Sequence, residues 1–422
     1  MASIDSRMRP ASLPAPPRPA TSAAAVEPEE AVVLSPWSVE RLSTAESLEP
    51  IREEWNELLR TSRSDCLFLT WEWLHTWRKH CAPNAELSVH VVRYGRDLLG
   101  IAPLLAGPSR SCPPIAARAL QFLGGGSVGS DYLDLIVRPA RRNETVAALA
   151  ATLAADQRIV DLVQVRRDAS SAQALAELLE RRGWRTLRGT THCCPYINLE
   201  GHTFESYLES LGSSHRYNFR RRLRQLERGF EVRFDRVWTE DERREALEIL
   251  LRLHLGSFAE RGGSDAFHTA ELVAFHAELS AIALERGWLR LYVLRLDGRP
   301  AAALYGFRYG SRFLFYQAGF DSEFARHSVG LVAMGLAIRA AIEEGVGEYD
   351  LLHGDEPYKA LWARSRRELE RIEAFPPTAA GRAHRLLRRG WRTALRNLPR
   401  FDGSRRPEPC TPNQETSRCS GE

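Results

Sequence analysis

The sequence passes twice through the same order of predicted elements, and this repetition constrains the fold more than any other feature. Each half is predicted to contain helices, a two-stranded hairpin, a further strand, a helix, a strand and a last helix. The hairpins are predicted at residues 89–105 and 288–309. The repeat of about 165 residues is too long for a solenoid. The pattern therefore predicts two related α/β domains in tandem, at residues 36–200 and 201–375.

Two segments outside the repeat differ in composition from the rest of the chain. Residues 1–35 are rich in Pro and Ala, cannot bury much apolar surface and are predicted to form a disordered leader. Residues 376–422 form a basic tail, with nine arginines and one acid between Arg382 and Arg406. A helix over 381–398 would gather its leucines and Trp391 on one side. This pattern fits a helix lying on a membrane surface, and it also fits a terminal helix packed on the domain.

The sequence carries no signal for spanning a membrane or for secretion. No stretch approaches 18 consecutive apolar residues, and the N-terminus lacks the basic and apolar regions of a signal peptide. Seven cysteines at irregular spacing, without a Cys-x-x-Cys pair, predict reduced thiols rather than a zinc site or disulfide framework. These observations predict a cytoplasmic protein, peripheral at the inner membrane if the tail binds lipid.

Lysine is the rare base in this chain, so its positions are informative. Of the 58 basic residues only Lys79 and Lys359 are lysines, and the net charge is a mild +4. Such a charge does not by itself imply a nucleic-acid partner. Lys359 stands out because it lies among several acids and a histidine.

The loop before the long helix predicted at 330–344 has the features of an anion site. A strand ends at residues 317–319, and a polar loop containing Arg326 and His327 then leads into Gly330. The first turn of a helix presents unpaired backbone N–H groups, and a glycine there lets a phosphate come close. The alternative is that Gly330 serves only a turn.

The next predicted strand ends in a segment rich in reactive side chains. His353, Asp355, Glu356, Tyr358 and Lys359 follow it directly. Ligands of open α/β sheets bind at the carboxyl ends of strands, so these residues are candidate acids, bases and cations. The alternative gives Asp355 the role of an N-cap, Glu356 that of a first-turn acid, and Pro357 that of the first helical residue.

Two further segments are candidates for binding. The helix predicted at 214–228 repeats arginine every four residues, and residues 214–233 carry seven arginines against two glutamates. That face suits phosphate, RNA or an acidic sugar polymer, and it equally suits a solvated helix surface. The run Gly124 to Gly126 precedes the sequence SVGSDY, but no long helix follows directly, so a dinucleotide-binding fingerprint is not supported. The interpretation of this glycine run as a loop beside a site stays open.

Three of these segments together resemble the GNAT acyltransferases of the BioF2-like/CelD type. They are the arginine-rich helix at 213–228, the ARHSVGL loop at 325–331 and the YDLLHGDEPYK segment at 349–359. The group is associated with cellulose and exopolysaccharide biosynthesis and is related to the Fem-type aminoacyltransferases. The resemblance covers residues 36–372 and is strongest over 203–365. It implies tandem GNAT-like domains, each a mixed, mostly antiparallel sheet flanked by helices.

The resemblance also implies a reaction and the residues for it. The reaction is N- or O-acyl transfer from acetyl-CoA or another acyl-CoA, without a metal. The implied cofactor-binding residues are Gln317, Arg326, His327, Ser328, Val329, Gly330 and Leu331. The candidate catalytic residues are Asp355 or His353 as base, Tyr358 as acid and Lys359 as electrostatic stabiliser. The expected substrate-binding residues are Arg216, Arg220, Asp350 and Glu356.

Three functions stay open on the sequence. The first is an acyltransferase acting on a polysaccharide precursor or a related small acceptor. The second is a non-catalytic accessory protein of a polysaccharide synthesis complex, docked by the basic tail. The third is a Fem-like transferase that uses aminoacyl-tRNA and binds the RNA on the arginine-rich helix. The helices predicted within 240–286 are too short for the coiled-coil arm that Fem proteins often carry, so a nucleic-acid partner is not favoured.

Overall fold

Strands and helices alternate along the described chain. The computed structural model describes residues 36–108, 118–168, 170–259, 267–354 and 356–397, so the predicted leader lies outside the described residues. The strands are β1 (Trp37–Leu42), β2 (Glu86–Leu87), β3 (Val89–Tyr94), β4 (Asp97–Ala102), β5 (Leu104–Pro108), β6 (Arg118–Phe122), β7 (Ile136–Val137), β8 (Ile159–Arg166), β9 (Arg185–Asn198), β10 (Val232–Arg236), β11 (Leu289–Leu296), β12 (Arg299–Tyr309), β13 (Arg312–Phe320), β14 (Glu348–Asp350) and β15 (Ser365–Phe375). The α-helices are α1 (Arg52–Thr61), α2 (Trp71–Cys81), α3 (Arg142–Asp156), α4 (Ser171–Arg181), α5 (Phe204–Ser210), α6 (Ser213–Gly229), α7 (Glu240–Ala259), α8 (Ala270–Glu285), α9 (Val329–Glu343), α10 (Lys359–Trp362) and α11 (Ala379–Asn397).

Two sheets carry the fold, a larger mixed sheet and a smaller antiparallel sheet. The larger has eleven strands in the order β10-β11-β12-β13-β14-β9-β15-β8-β6-β5-β2, and the smaller has four, β1-β3-β4-β7. Among the described strands only two neighbouring pairs run parallel, β13 with β14 and β6 with β8. The predicted fold class, α/β with mixed, mostly antiparallel sheets flanked by helices, is confirmed.

The two halves repeat one connection. In the second half, β12 pairs antiparallel with β13, and β13 pairs parallel with β14 after the chain has passed through α9. In the first half, β5 pairs antiparallel with β6, and β6 pairs parallel with β8 after α3. A parallel pair needs such a crossover, which explains why the same order of elements recurs in the sequence.

The last strands of the two halves are exchanged. β9 is the last strand of the first half in the chain, yet its residues 196–198 pair with β14 of the second half. β15, the last strand of the second half, pairs with β8 of the first half as well as with β9. Strands from both sides of residue 200, where the domain boundary is predicted, therefore belong to one continuous sheet.

Helices cover both faces of the strands that lead to the cavity described below. Successive residues of a strand point to opposite faces. Ala302 and Leu304 of β12 accordingly belong to the apolar clusters of α9, while Ala303 and Tyr305 belong to the cluster that contains α7 and α8. α6 packs on α9 at Gly335, where an added Cβ would lie 2.1 Å from Cε2 of Phe219.

The structure differs from the sequence-based prediction near the end of the second half. β15 was not predicted, since SRRELERIEAF lacks the alternation of a half-buried strand. Its charged residues are tolerated inside the sheet because they form ion pairs, such as Arg371 with Asp161 and Arg367 with Glu348. The helix predicted from residue 356 is a single turn, α10. The strand predicted at 98–105 is interrupted at Pro103, which gives β4 and β5.

The tryptophans of α1 and α2 lie in the core. Trp73 is fully buried, and Trp71 and Trp77 are nearly so. Trp55 and Trp73 anchor the packing of α1 and α2, with the Trp55 indole donating to the carbonyl of Leu69 at 2.9 Å. The four cysteines in the described ranges are free thiols, namely Cys66, Cys81, Cys193 and Cys194.

The basic tail begins as the predicted helix, α11. Arg388 donates to the buried carboxylate of Glu373 on β15 at 2.8 Å, which fixes the helix to the sheet. Leu386 and Leu387 are exposed. None of the described helices is long and apolar enough to cross a membrane. Contact of this tail with a membrane surface stays a prediction.

The close approach of α6 and α9 can be tested with two glycine substitutions. Gly335→Ala is expected to lower the free energy of unfolding by about 1–3 kcal/mol, because its Cβ would overlap the Phe219 ring. Gly256 lies in α7 with open space at its Cβ position, so Gly256→Ala is expected to raise stability by about 0.5–1 kcal/mol. Equilibrium unfolding in urea measures both. Equal effects of the two substitutions would contradict the packing described here.

Candidate active site

A cavity opens where β13 and β14 separate. The two strands pair only over Arg312–Leu314 and Glu348–Asp350 within the described residues. Beyond these pairs lies a cavity of about 700 Å³. Its walls are residues 315–320 of β13, the first turns of α9, the segment that follows β14, and residues 127–129 of the first half. The two halves thus build this cavity together.

A bulge in β13 places a tyrosine on the cavity wall. Tyr305 pairs with Gln317 and Gly306 with Phe315, so Tyr316 is an extra residue in β13. Its hydroxyl donates to the carbonyl of Val128, which ties the wall contributed by the first half to the second half. Burial raises the pKa of Tyr316 well above its ordinary value, so the hydroxyl stays protonated.

His353 is the predicted catalytic residue with the geometry of a general base. It lines the cavity, and its Nδ1 lies 2.8 Å from Oδ1 of Asp131, a fully buried carboxylate of the first half. No described residue bonds the other ring nitrogen, Nε2. The charge of Asp131 raises the pKa of His353 and outweighs the opposite effect of burial. A carboxylate at one ring nitrogen fixes the tautomer and leaves the other nitrogen to exchange a proton.

Asp131 is held in place by several donors. The backbone N–H of His353 donates to Oδ2 at 2.9 Å, and the Gln164 side-chain amide donates to Oδ1 at 2.9 Å. The Cys194 thiol lies 3.6 Å from Oδ2. Burial alone would raise the pKa of Asp131, but the charge and hydrogen bonds of His353 lower it below the ordinary value. The carboxylate is therefore ionised and faces His353.

Lys359 supports the segment that carries His353. Its Nζ is nearly buried and donates to the backbone carbonyl of His353 at 2.8 Å, and it pairs with Oε2 of Glu356 at 3.0 Å. Gly354 has a φ of 137°, and an added Cβ would come within 2.6 Å of Nζ. Lys359 thus holds a tight turn on the cavity wall, where a lysine fits and a bulkier guanidinium would not.

The other predicted catalytic and cofactor-binding residues fall into three groups. Tyr358, Glu356, Gln317, Gly330 and Leu331 line the cavity. Arg326, His327 and Ser328, which precede α9, and Val329, its first residue, do not line the cavity. The Arg326 Nε donates to Nε2 of His327 at 3.0 Å. Asp355 lies outside the described residues.

The start of α9 has the geometry that an anion site needs. Ser328, with a φ of 56°, precedes the helix and provides no side-chain cap. Gly330 and Leu331 of the first turn line the cavity. The N–H groups of such a first turn and the positive end of the helix dipole favour an anion at this end of the cavity.

Three of the predicted substrate-binding residues lie away from the cavity lining. The Arg216 guanidinium donates to the carbonyl of Glu209 at 3.0 Å, and Arg220 pairs with Glu205 at 2.5 Å, so both bind α5 or the residues next to it. Asp350 is fully buried and accepts from the Tyr132 hydroxyl at 2.6 Å. Burial raises the pKa of Asp350 to about 6. These contacts join elements of the fold to each other.

Sequence reasoning missed the residues that the first half contributes. Asp131 and Val128 of the first half were not predicted as site residues, and neither was Tyr316 of the second half. The sequence signal that could have indicated Asp131 is its position directly after a glycine-containing turn. For that turn, only a loop beside a site was considered. The pairing of Asp131 with His353 joins positions 222 residues apart, which no local pattern reports.

The second half of the chain matches a known protein family. Residues 213–360 match the family described as the acetyltransferase (GNAT) domain. The second half contains a GNAT-type domain. No curated protein matches the chain by sequence.

The fold of the whole described chain also has relatives among solved structures. FemX aligns with a TM-score of 0.54 at 13% identity, over 79% of this chain and 96% of that one. A conserved protein of unknown function from Bacteroides thetaiotaomicron aligns with a TM-score of 0.50 at 12% identity, over 80% and 99%. A tandem GNAT protein from the clavulanic acid biosynthesis pathway aligns at 0.45 and 13% identity, over 80% and 98%. The described chain shares the fold of FemX.

The pairing of Asp131 with His353 predicts a measurable titration. Replacing Asp131 with asparagine is expected to lower the pKa of His353, because the carboxylate that favours the imidazolium is gone. The ring is thus expected to lose its proton at a lower pH than in the unchanged protein. NMR titration of the histidine ring protons measures the shift, with the exposed His268 as an internal control. A His353 pKa unchanged by the substitution would contradict the assigned contact.

Proposed function

We propose that the protein transfers an acyl group from acyl-CoA to an amine or hydroxyl group of a saccharide or related small acceptor. The observation that carries the proposal is the position of His353. Held by Asp131, it lies on the wall of a cavity that also contains the first turn of α9. A donor bound there would meet an anion site and a base in one cavity.

The donor end of the cavity suits coenzyme A. The pyrophosphate would bind at the N–H groups of Gly330 and Leu331, with the charge of Arg326 nearby in the chain. The arm of the donor would then run between the separated strands β13 and β14 towards His353. The apolar walls, which include Leu304, Phe315 and Met334, suit an arm with few charges.

In the proposed reaction, each proton transfer is assigned to a residue of the cavity. Nε2 of His353 takes the proton from the acceptor amine or hydroxyl as the acceptor attacks the thioester carbonyl. Asp131 stabilises the imidazolium that forms. The carbon–sulfur bond then breaks, and Tyr358 on the cavity wall protonates the leaving thiolate. The phenolate that remains recovers its proton from His353 through solvent, which restores both groups.

The saccharide acceptor rests on the resemblance to the exopolysaccharide-associated group. A Fem-like aminoacyl donor and a non-catalytic accessory role are the competing outcomes. Both differ from the proposal in one measurable property, because neither requires binding of acyl-CoA in the cavity.

Donor binding is tested by calorimetry with a matched pair of variants. An added Cβ at Gly330 meets only Cδ1 of Phe320, at 3.7 Å, so Gly330→Ala is expected to bind acetyl-CoA and longer acyl-CoAs like the unchanged protein. Gly330→Glu places a carboxylate at the anion site and is expected to weaken binding at least tenfold, or about 1.4 kcal/mol. No binding to any acyl-CoA by the unchanged protein would contradict the proposal and favour one of the two competing functions.

The role of His353 is tested by kinetics with acetyl-CoA, using glucosamine and cellobiose as acceptors and release of the free thiol as readout. His353→Gln is expected to lower kcat about 10²- to 10⁴-fold, the usual contribution of a general base. The rate of the unchanged protein is expected to rise with pH as His353 loses its proton, with a midpoint above the ordinary histidine value. In Asp131→Asn that midpoint is expected at lower pH. A His353→Gln variant with unchanged kcat would exclude this base.

A further inference from the structure

The last described helix, α11, turns a polar side towards the protein and an apolar side towards solvent. On the inner side, Arg388 donates to the buried carboxylate of Glu373 at 2.8 Å. Gly381 is buried against the carbonyl of Pro376, so closely that an added Cβ would not fit. A surface helix of a globular domain normally buries its apolar stripe and exposes its charges. The described part of α11 has the opposite orientation.

The outward side of α11 carries no charge over about three helical turns. Leu386 is 61% exposed and Leu387 is 46% exposed. At 3.6 residues per turn, the exposed alanines and the exposed glycine of the same stretch lie on the side of these leucines. Together they form the outer strip, which consists of Ala379, Ala380, Ala383, Leu386, Leu387 and Gly390. Scattered exposed leucines are ordinary, but a continuous apolar strip marks an interaction surface.

Arginines border the outer strip along one side. Arg382 and Arg389 are both exposed, and they lie seven residues apart, which is about two turns of the helix. The sequence of α11 contains six arginines and no acid. A ligand that covers the outer strip therefore meets positive charge at its border, without a carboxylate of the same helix to offset it.

The turn between α4 and β9 extends this basic border. The Arg382 guanidinium donates to the carbonyl of Pro377 at 3.2 Å, and an added Cβ at Gly183 would lie 3.9 Å from Cβ of Pro377. The exposed residues on either side of Gly183 include three arginines, namely Arg181, Arg182 and Arg185. The acid that precedes them, Glu180, accepts a hydrogen bond from the Thr186 hydroxyl. The positive charge thus continues from α11 onto the first half.

We propose that the outer strip and its basic border bind the surface of an anionic membrane, with α11 lying in the plane of the interface. Leu386 and Leu387 enter the boundary between the lipid headgroups and the acyl chains, and the bordering arginines meet the lipid phosphates. Basic residues next to a membrane add affinity where the lipids are anionic. This inference does not depend on the proposed acyl transfer.

Two other occupants of the outer strip fit these residues less well. A second copy of the chain, packed on the strip about a two-fold axis, would bring the same arginines of both copies together, and α11 has no acid to pair with them. Residues 398–422 contain only two large apolar residues, Leu398 and Phe401, so they offer little to cover the strip. A lipid surface needs no matching shape and supplies both an apolar layer and negative charge.

The test is co-sedimentation of the full chain with vesicles of phosphatidylcholine, either pure or mixed with phosphatidylglycerol. The unchanged protein is expected to bind the mixed vesicles about tenfold or more tightly than the pure ones, because each arginine near the surface adds affinity for anionic lipid. Added NaCl is expected to weaken this binding, because salt screens the charges.

The apolar contact is tested by replacing both exposed leucines together, as Leu386→Ser with Leu387→Ser. This variant is expected to bind the mixed vesicles about tenfold or more weakly, because it no longer buries the two side chains. Since both leucines are exposed, the substitutions remove no core contact. Leu255→Ser, which changes a leucine of α7 that is 50% exposed, is the matched control and is expected to bind like the unchanged protein.

The basic border is tested by Arg382→Gln combined with Arg389→Gln, which is expected to weaken binding to the mixed vesicles about tenfold or more. The control is Arg96→Gln combined with Arg233→Gln, which removes two exposed arginines far along the chain from α11 and is expected to bind normally. Absence of binding to mixed vesicles by the unchanged protein would overturn the proposal. So would equal losses in the test and control variants, or a dimer in sedimentation velocity that only the leucine variant loses.

Discussion

Backbone pairing between exchanged strands is the constraint on which the rest of the structure depends. β9 of the first half completes the sheet beside β14, and β15 of the second half completes it beside β8. Because backbone hydrogen bonds fix register, this exchange also fixes how the two halves contribute to one cavity. Residues 127–129 of the first half and His353 of the second half line the same cavity. The paired strands thus determine where the buried Asp131 stands.

Burial of the Asp131 carboxylate is unfavourable in free energy, and the buried carboxylate also has a role at the site. Removing a charge from water is unfavourable unless the charge is paired and hydrogen-bonded, and Asp131 meets that condition through His353, Gln164 and a backbone N–H. The same contacts make the imidazole a stronger base. Asp350, equally buried, accepts from Tyr132 and the Leu352 N–H, and this pairing stabilises the contact between the halves. The two acids show how environment, rather than residue type, separates a site residue from a structural one.

The sequence predicts local features well and long-range contacts poorly. The hairpin of β11 and β12 and the helix α9 follow from periodicity, because neighbours in the chain determine them. β15 could not be predicted, because its Arg371 pairs with Asp161 of β8, which lies 210 residues away in the chain. Asp131 was missed for the same reason. Arg216 and Arg220 form a regular basic face, but whether such a face meets a ligand or a neighbouring helix depends on packing.

The strand exchange also has a consequence for how the chain is made. Leu369 of β15 pairs with Arg166 of β8, so the first half waits for its last sheet neighbour until nearly all of the described chain has been synthesised. At 5–20 residues per second this delay lasts roughly 10–40 s. Until the last strands are made, β8 lacks a partner along one edge, and β9 lacks both of its sheet neighbours, β14 and β15. Open edges of this kind invite pairing with other chains. The ribosome-bound nascent protein is thus a state in which protection by a chaperone would have the greatest effect.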